Sequence, residues 1–211
     1  MKIKLNLYIF AFLAVFLITN QIKIYTLIMT FALMHELAHL ICGIILGFKP
    51  NTLRIMALGF SIEFETQIED YNKKIINSNT LALKKIIIAF AGPMANMLIA
   101  ILGVIFNLGS NIIYSNLLLM LFNLIPIEPL DGGRILKNIF KIFCGNRKAN
   151  TYMNIITNVL FVILTMSSSV LILIYRNIAI LVIIVLLLSL IIKENKKYIM
   201  YNKIYKTIDK N

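Results

Sequence analysis

Charged side chains are scarce in this chain. They make up 14% of its 211 residues, whereas an average soluble domain has about 25%. Hydrophobic residues reach 60%, and the mean hydropathy is +0.87. This balance does not suit a soluble core and is typical of a polytopic membrane protein.

Cysteine is nearly absent as well, with only Cys42 and Cys144 in the sequence. Their number and spacing indicate no disulfide framework. We expect Cys144 to be an unpaired thiol in the reducing cytosol.

Six apolar runs are long enough, or nearly long enough, to cross a bilayer, which takes about 20 residues. The predicted fold is therefore an all-α polytopic membrane protein with about six transmembrane helices. Lysines precede the first run as in a signal peptide, but no small-residue cleavage site follows, so we expect a retained helix. Residues 1–192 would form this membrane domain, and 193–211 a basic cytoplasmic tail. The predicted spans are 5–21, 25–47, 86–106, 111–127, 156–175 and 177–192.

Basic residues follow a one-sided pattern between these spans. All but two of the 21 lysines and arginines, Lys23 and Arg176, fall in segments that six spans would place on one side. Cytoplasmic segments of membrane proteins carry such an excess. Both termini of a multi-pass cell-membrane protein are therefore predicted to be cytoplasmic. Because the bases lie between apolar runs, the net charge of +12 indicates a membrane surface and not nucleic acid.

The segment between the second and third spans has a different pattern. From Thr52 to Glu65, apolar and polar residues partly alternate, with Gly59 near the centre. This pattern predicts a short β-hairpin on the cytoplasmic side between helices 2 and 3, although an amphipathic surface loop would also fit it. Residues 67–80 are polar and predict a loop. The basic, tyrosine-rich tail from Lys193 predicts a helix at the anionic lipid surface.

Histidine occurs twice, and both residues belong to one H-E-x-x-H motif, His35-Glu36-Leu37-Ala38-His39. Residues four apart share one face of a helix, so both imidazoles can bind one metal ion. Glu36 is turned about 100° from His35 and can reach a water on that ion without ligating it.

A catalytic zinc usually takes three protein ligands and leaves one position for water. No third histidine exists, and most of the nine acidic residues lie in loops or the tail, which leaves Glu128 and Asp131 near the end of the fourth span. Prolines and glycines break the helix there, and broken backbone at membrane depth is tolerated where it lines a buried cavity. Cys42 shares the helical face of the two histidines, but a small thiol that packs beside the site explains it better.

A polar helix contact in a metal transporter is an alternative origin of the motif. An ionisable side chain at the centre of a membrane helix costs about 2.5–3.5 kcal/mol on insertion scales. Three such residues need a shared partner, which a metal ion supplies. A transport path would also have several metal-binding groups of side chains across the bilayer, whereas this sequence has one cluster of metal-binding residues.

The H-E-x-x-H motif together with Asn123, Pro129, Asp131 and Gly132 resembles the site-2 protease (M50) family of intramembrane zinc metalloproteases. The spacing of the later residues is similar to that of the stage IV sporulation protein FB subgroup, which lacks a PDZ domain. Residues 91–96 (A-G-P-M-A-N) are similar to the third-span motif of the family. Two roles of this motif are open, namely close helix packing at its glycine and a part in catalysis.

The resemblance implies that His35, His39 and Asp131 bind one catalytic Zn²⁺. It also implies that Glu36 is the catalytic acid/base and that Asn123 helps to orient the substrate.

With Asp131 as the third ligand, we expect Glu128 to be a solvated loop acid. The family member carries a C-terminal CBS domain, which the short tail at 193–211 does not match. The resemblance therefore leaves nucleotide regulation open.

Relatives in this subgroup act in endospore-forming bacteria, where they cleave the pro-sequence of a late mother-cell sigma factor. Membrane partner proteins hold them inactive until a signal arrives. The resemblance therefore implies a membrane-associated protein substrate, inhibitor or activator proteins, and a mother-cell or forespore membrane. An inactive relative that only binds proteins is an alternative, but the intact Glu36 disfavours it.

Overall fold

The computed structural model describes residues 2–5, 13, 17, 22–56, 59–64, 76–175 and 178–208. Within these ranges the chain is mostly helical and has one small three-stranded sheet. It divides into two compact units, Met1–Leu124 and Ile125–Asn211. The first unit contains β1 (Lys2–Leu5), α1 (Ile22–Ile45), β2 (Pro50–Met56), β3 (Gly59–Phe64), α2 (Ile76–Ile105) and α3 (Ser110–Asn123). The second unit contains α4 (Asp131–Tyr175) and α5 (Ile178–Ile208).

Three of the described helices are long and apolar enough to cross a membrane, at Ile22–Ile45, Asn79–Ile105 and Asp131–Ser168. The first two contain most of the second and third predicted spans. In contrast, α3 has only 14 residues, fewer than the about 20 that a crossing takes. The first predicted span, at 5–21, lies mostly outside the described residues. The protein is thus a helical membrane protein, and the number of six spans stays a prediction.

The burial pattern of α1 is the reverse of that of a soluble helix. Its buried positions are Tyr25, Ala32, His35, His39 and Gly43. Its exposed large apolar side chains include Leu33, Met34, Leu37, Ile41, Ile44 and Ile45. A helix with aliphatic residues outside and small or polar residues inside suits a hydrocarbon solvent. The two histidines of α1 therefore lie on its protein side.

The hairpin predicted between the second and third spans is confirmed. β2 and β3 pair antiparallel, and Met56 lies opposite Gly59 at the end next to the turn. Arg54 and Glu63 form a cross-strand ion pair on the exposed face, with 2.8 Å between nitrogen and oxygen. The turn residues 57–58 lie outside the described part of the chain. The position of the hairpin on the cytoplasmic side stays a prediction.

A third strand was not predicted. β1 pairs parallel with β2, with Lys2 opposite Thr52 and Leu5 opposite Ile55. β2 is therefore the central strand of the sheet. A strand of four residues that leads into an apolar run carries too little alternation to be recognised. The predicted first span began at residue 5, which belongs to this strand instead.

The sheet is docked on α1 through Phe64 and Gly43. A Cβ added at Gly43 would lie 2.5 Å from Cε1 of Phe64, so the ring occupies the space that glycine leaves. Phe64 also meets Phe48 edge-on, with ring centroids 5.8 Å apart. Both rings belong to a small apolar cluster that includes side chains of α2. The sheet is thereby held against α1 one helical turn beyond His39.

In the second unit, the connection predicted at 128–155 is wrong. α4 begins at Asp131 and covers most of that segment. The helix is interrupted at Gly145, whose φ of 79° is in the region that favours glycine. The basic residues of this segment therefore lie on helices and not in a loop.

The tail forms part of a long helix. α5 runs without interruption from Ile178 to Ile208, so the segment after Lys193 is helical, as predicted. It packs against α4, where Nδ2 of Asn195 donates to Oδ1 of Asn158 at 3.0 Å. The domain boundary at 192 and the location of the tail at the lipid surface stay predictions.

Candidate metal centre

Two imidazoles converge inside the first unit. His35 and His39 lie on the buried stripe of α1, and each is 4% exposed. Their Nε2 atoms are 3.0 Å apart, and the rings meet edge-on with centroids 4.7 Å apart. The i,i+4 spacing predicted this shared face. Two ring nitrogens at this distance need a proton or a cation between them, because their lone pairs repel.

A backbone carbonyl sets the orientation of His39. Nδ1 of His39 lies 2.6 Å from the carbonyl oxygen of Ile88 on α2. A carbonyl only accepts hydrogen bonds, so Nδ1 carries a proton and donates it. In the neutral ring this leaves the lone pair on Nε2, which is the tautomer that binds a metal through that atom.

Asn96 on α2 is the corresponding neighbour of His35. Its Nδ2 lies 3.0 Å from Nδ1 of His35, and the whole residue is 0% exposed. Its Oδ1 is buried and has no hydrogen-bond partner within the described ranges. Asn96 was not among the site residues predicted from the sequence. The signal was present, because a buried amide in an apolar helix is costly unless it is bonded, and Asn96 ends the 91–96 motif.

Gly92 lies one turn before Asn96 and provides the space for both rings. A Cβ added there would lie 2.5 Å from Nε2 of His35 and closer still to Nε2 of His39. Close helix packing and a catalytic role were both open for the motif that contains this glycine. The geometry shows close packing, because the α2 backbone approaches the two imidazoles here. The side chain of a larger residue at this position would occupy the space beside the Nε2 atoms of both histidines.

The donor atoms fit a metal ion. Within the first unit, the atoms that could hold such an ion are Nε2 of His35 and Nε2 of His39. Asp131, in the second unit, stays the third ligand that the resemblance implies. Imidazole nitrogens and a carboxylate oxygen are the ligands that catalytic zinc takes. The unbonded Oδ1 of Asn96 and the space at Gly92 agree with a centre arranged around a cation.

The other two candidate ligands lie in different surroundings. Cys42 packs against the apolar cluster around Phe48, as expected for a packing thiol. Glu128 forms an ion pair with Lys137, with 2.8 Å between Oε1 and Nζ, and its side chain is 17% exposed. The expectation of a solvated loop acid is therefore wrong, because Glu128 is shielded and paired.

Asp131 occupies the first position of α4 and is 4% exposed. Nη1 of Arg134, one turn later, lies 3.5 Å from its Oδ1. The turn before it depends on Gly133, where an added Cβ would lie 2.5 Å from the carbonyl carbon and oxygen of Ile127. The close approach that Gly133 permits is therefore to the backbone of the preceding turn.

Glu36 is half-buried on α1, directly after His35. Asn123 ends α3, and its Nδ2 donates to the carbonyl oxygen of Leu119 at 3.0 Å. An amide nitrogen has two N–H groups, so this bond leaves a second donor. Four acidic residues lie outside the described part of the chain, namely Glu65, Glu69, Asp70 and Asp209.

A helical membrane protein with two converging buried imidazoles on one helix and a glutamate beside one of them has the features of a membrane metallopeptidase. The family model "Peptidase family M50" matches residues 107–167, a segment that includes Asn123 and Asp131. The H-E-x-x-H motif precedes the matched segment.

Relatives of known sequence support the same family. The chain is 23% identical over 172 residues to stage IV sporulation protein FB of Bacillus subtilis (strain 168), covering 78% of this chain and 56% of that protein. It is 28% identical over 177 residues to the putative zinc metalloprotease YwhC of the same organism, covering 65% of this chain and 78% of that protein. The chain thus spans little more than half the length of the first relative.

Among solved structures, the site-2 protease from Methanocaldococcus jannaschii is similar, with a TM-score of 0.67, 21% identity, and coverage of 93% of this chain and 90% of that one. This likeness shows the same fold. Together these findings confirm the resemblance to the site-2 protease (M50) family stated above.

Proposed function

We propose that this protein is an intramembrane zinc metalloendopeptidase that hydrolyses a peptide bond in or near a membrane segment of a regulatory protein. The observation that carries the proposal is the 3.0 Å approach of Nε2 of His35 to Nε2 of His39, inside a helix apolar enough to cross a membrane. Burial of two imidazoles at that depth is costly unless they serve a common partner. A hydrolytic metal ion is the partner for which the H-E-x-x-H arrangement is suited.

Each polar residue of the centre would have one task. His35, His39 and Asp131 would hold the ion, the histidines through Nε2. When bound, zinc supplies a water with a pKa of about 7 and a positive charge beside the carbonyl under attack. The carboxylate of Glu36 would take a proton from that water and later give it to the leaving amine. The second N–H of Asn123 would orient the substrate carbonyl by a hydrogen bond.

The sheet offers a place for an extended substrate. A helical segment must unwind before it is cut, because its carbonyls are bonded within the helix. β1 occupies one edge of the hairpin, which leaves β3 as the other edge strand within the described ranges. β3 ends at Phe64, which packs on Gly43 one turn from His39. The unwound substrate would add to β3 as a further strand.

The biological role is proposed from the similarity to stage IV sporulation protein FB. It implies cleavage of the pro-sequence of a sporulation sigma factor at the mother-cell or forespore membrane. Both termini would lie in the cytoplasm, and membrane inhibitor or activator proteins would share the bilayer. The similarity to a putative zinc metalloprotease supports the zinc chemistry without this role.

Co-expression with candidate membrane-associated pro-proteins tests the proposal. The wild-type protein should shorten its substrate. Glu36→Gln should bind as much zinc and leave the substrate intact, because a carboxamide does not accept the proton of the attacking water. Cleavage by Glu36→Gln, or the absence of zinc from purified wild-type protein, would refute the assignment.

The alternative functions give different results in the same experiment. A protein that only binds its partner would capture the pro-protein, and neither form would shorten it. A metal transporter would carry zinc into vesicles that contain no protein substrate.

A further inference from the structure

The groups around the two histidines form one chain of hydrogen bonds. The carbonyl of Ile88 accepts from Nδ1 of His39, so Nε2 of the neutral His39 ring can only accept. Nε2 of His35, 3.0 Å away, is then the donor. Nδ1 of His35 is left as an acceptor for Nδ2 of Asn96. In this arrangement every ring nitrogen is satisfied, but Oδ1 of Asn96 is not.

With both rings neutral, this arrangement places on Nε2 of His35 the proton that a metal ligand at that atom must lose. Ligation requires the proton on Nδ1, where a metal-binding histidine almost always donates it to an acceptor. Nδ2 of Asn96 is only a donor, so two N–H groups would face each other at 3.0 Å. Something must change at Asn96 before His35 can act as a ligand.

We propose that Asn96 is the positioning residue for His35 and that its amide rotates by 180° when the metal binds. Rotation about the Cβ–Cγ bond exchanges Oδ1 and Nδ2, which are nearly equal in size, and needs no shift of α2. Oδ1 then accepts from Nδ1–H of His35 and gains the partner that it otherwise lacks. The proposal rests on the zinc site proposed above and adds a residue of α2 to it.

The two ligands consequently differ in how they are held. His39 is kept in the ligand tautomer by a backbone carbonyl, which is a fixed acceptor. His35 depends on a side chain that can present either a donor or an acceptor. Metal loading is therefore coupled to the side-chain orientation of one buried amide.

Two substitutions at Asn96 separate its acceptor from its donor. Asn96→Asp keeps an acceptor and has no N–H, whereas Asn96→Leu has neither. Zinc affinity of the purified full-length protein in detergent is measured by competition with a chromophoric chelator. Asn96→Asp should bind zinc at least as tightly as the wild type, because a carboxylate presents only acceptors to Nδ1–H of His35. Asn96→Leu should bind it about 10- to 100-fold more weakly, the usual loss when the outer partner of a metal-bound histidine is removed.

Asn116 on α3 supplies a matched control. It is also 0% exposed and has an Oδ1 without a partner within the described ranges, but its Nδ2 donates to Ile112 of its own helix. Asn116→Leu therefore removes a buried amide of the same kind and should leave zinc affinity unchanged.

Nitrogen-15 NMR reports the tautomers of the wild-type protein directly. The chain has only two histidines, so selective labelling gives signals from two rings. Without zinc, His35 should be protonated at Nε2 and His39 at Nδ1. With zinc, both rings should be protonated at Nδ1. An identical His35 tautomer in the two samples would overturn the proposal.

The outcomes distinguish this inference from the proposed function. If the wild type binds no zinc, the proposed function fails as a whole. If the wild type binds zinc and Asn96→Leu binds it equally well, or if Asn96→Asp loses it to the same extent as Asn96→Leu, only the role of Asn96 is refuted. If Asn96→Leu does not fold, the aspartate variant and the wild-type NMR spectra still decide.

Discussion

The ring of Phe64 on β3 fills the space where a side chain on Gly43 of α1 would stand. This contact joins the sheet to the helix that carries both histidines. The helical backbone angles at Gly43 would accept any small residue. It is therefore the neighbouring ring that requires glycine at this position. The fit is thus a packing requirement that can be tested.

Gly43→Ala should lower the free energy of unfolding by about 1–3 kcal/mol, because an extra methyl group in a packed contact forces its neighbour to shift. Denaturant titration in detergent measures the loss. In a Phe64→Leu background the penalty should shrink, with a coupling of about 0.5–3 kcal/mol. Equal penalties in the two backgrounds would contradict the contact.

Gly92→Ala should weaken zinc binding. Its Cβ would enter the space beside Nε2 of both histidines. Overpacking of about 1–3 kcal/mol corresponds to an affinity that is about 5- to 150-fold lower. Chelator competition measures this change. Gly103→Ala on the same helix is the control, because the nearest atoms to its Cβ would be side-chain atoms of Ile113 and Ile112, the closest at 3.0 Å, and not the imidazoles. Equal zinc affinities for the two variants would exclude a special role of Gly92.

Lys137→Met should destabilise the protein by about 1–3 kcal/mol, since it leaves the shielded carboxylate of Glu128 without its partner. Adding Glu128→Gln should recover part of the loss. Arg54→Met is the comparison, because the side chains of its ion pair with Glu63 are each 46% exposed and such a pair contributes about 0–1 kcal/mol. Unfolding free energies measure all three variants. A larger loss for Arg54→Met than for Lys137→Met would contradict the role of shielding.

Gly133→Ala should be more damaging than Gly43→Ala, with a loss of about 3 kcal/mol or more in unfolding free energy. At Gly133 the added Cβ meets the backbone of Ile127, which cannot turn aside as a ring can. The turn that precedes Asp131 should shift as a result, so zinc retention should fall as well. Equal losses of unfolding free energy in Gly133→Ala and Gly43→Ala would contradict the larger penalty expected from the backbone contact at Gly133.

The sequence predicted the structure best where the spacing of neighbouring residues sets the local backbone geometry. The spacing of His35 and His39 predicted a shared helical face, and the alternation after Thr52 predicted a hairpin. Both inferences need only local backbone geometry. The resemblance to the family then pointed to Asp131, which lies far from the histidines in sequence.

The remaining features depend on contacts that local patterns do not encode. Its place in an apolar helix and at the end of the 91–96 motif marks Asn96, but no local pattern reveals its partner, which is 61 positions away. The basic residues after Glu128 suggested a connection, although the same segment forms α4. The ion pair of Glu128 and Lys137 depends on the turn before that helix, so the sequence alone suggested a solvated acid.

The pairing of β1 with β2 constrains how the chain is threaded through the bilayer. Two hydrogen-bonded strands cannot be separated by a lipid layer, so Leu5 and Pro50 must be on the same side. The intervening polypeptide consequently traverses the lipid an even number of times. A four-residue strand thus constrains, independently of any count of lysines, the number of crossings between Leu5 and Pro50 to an even one.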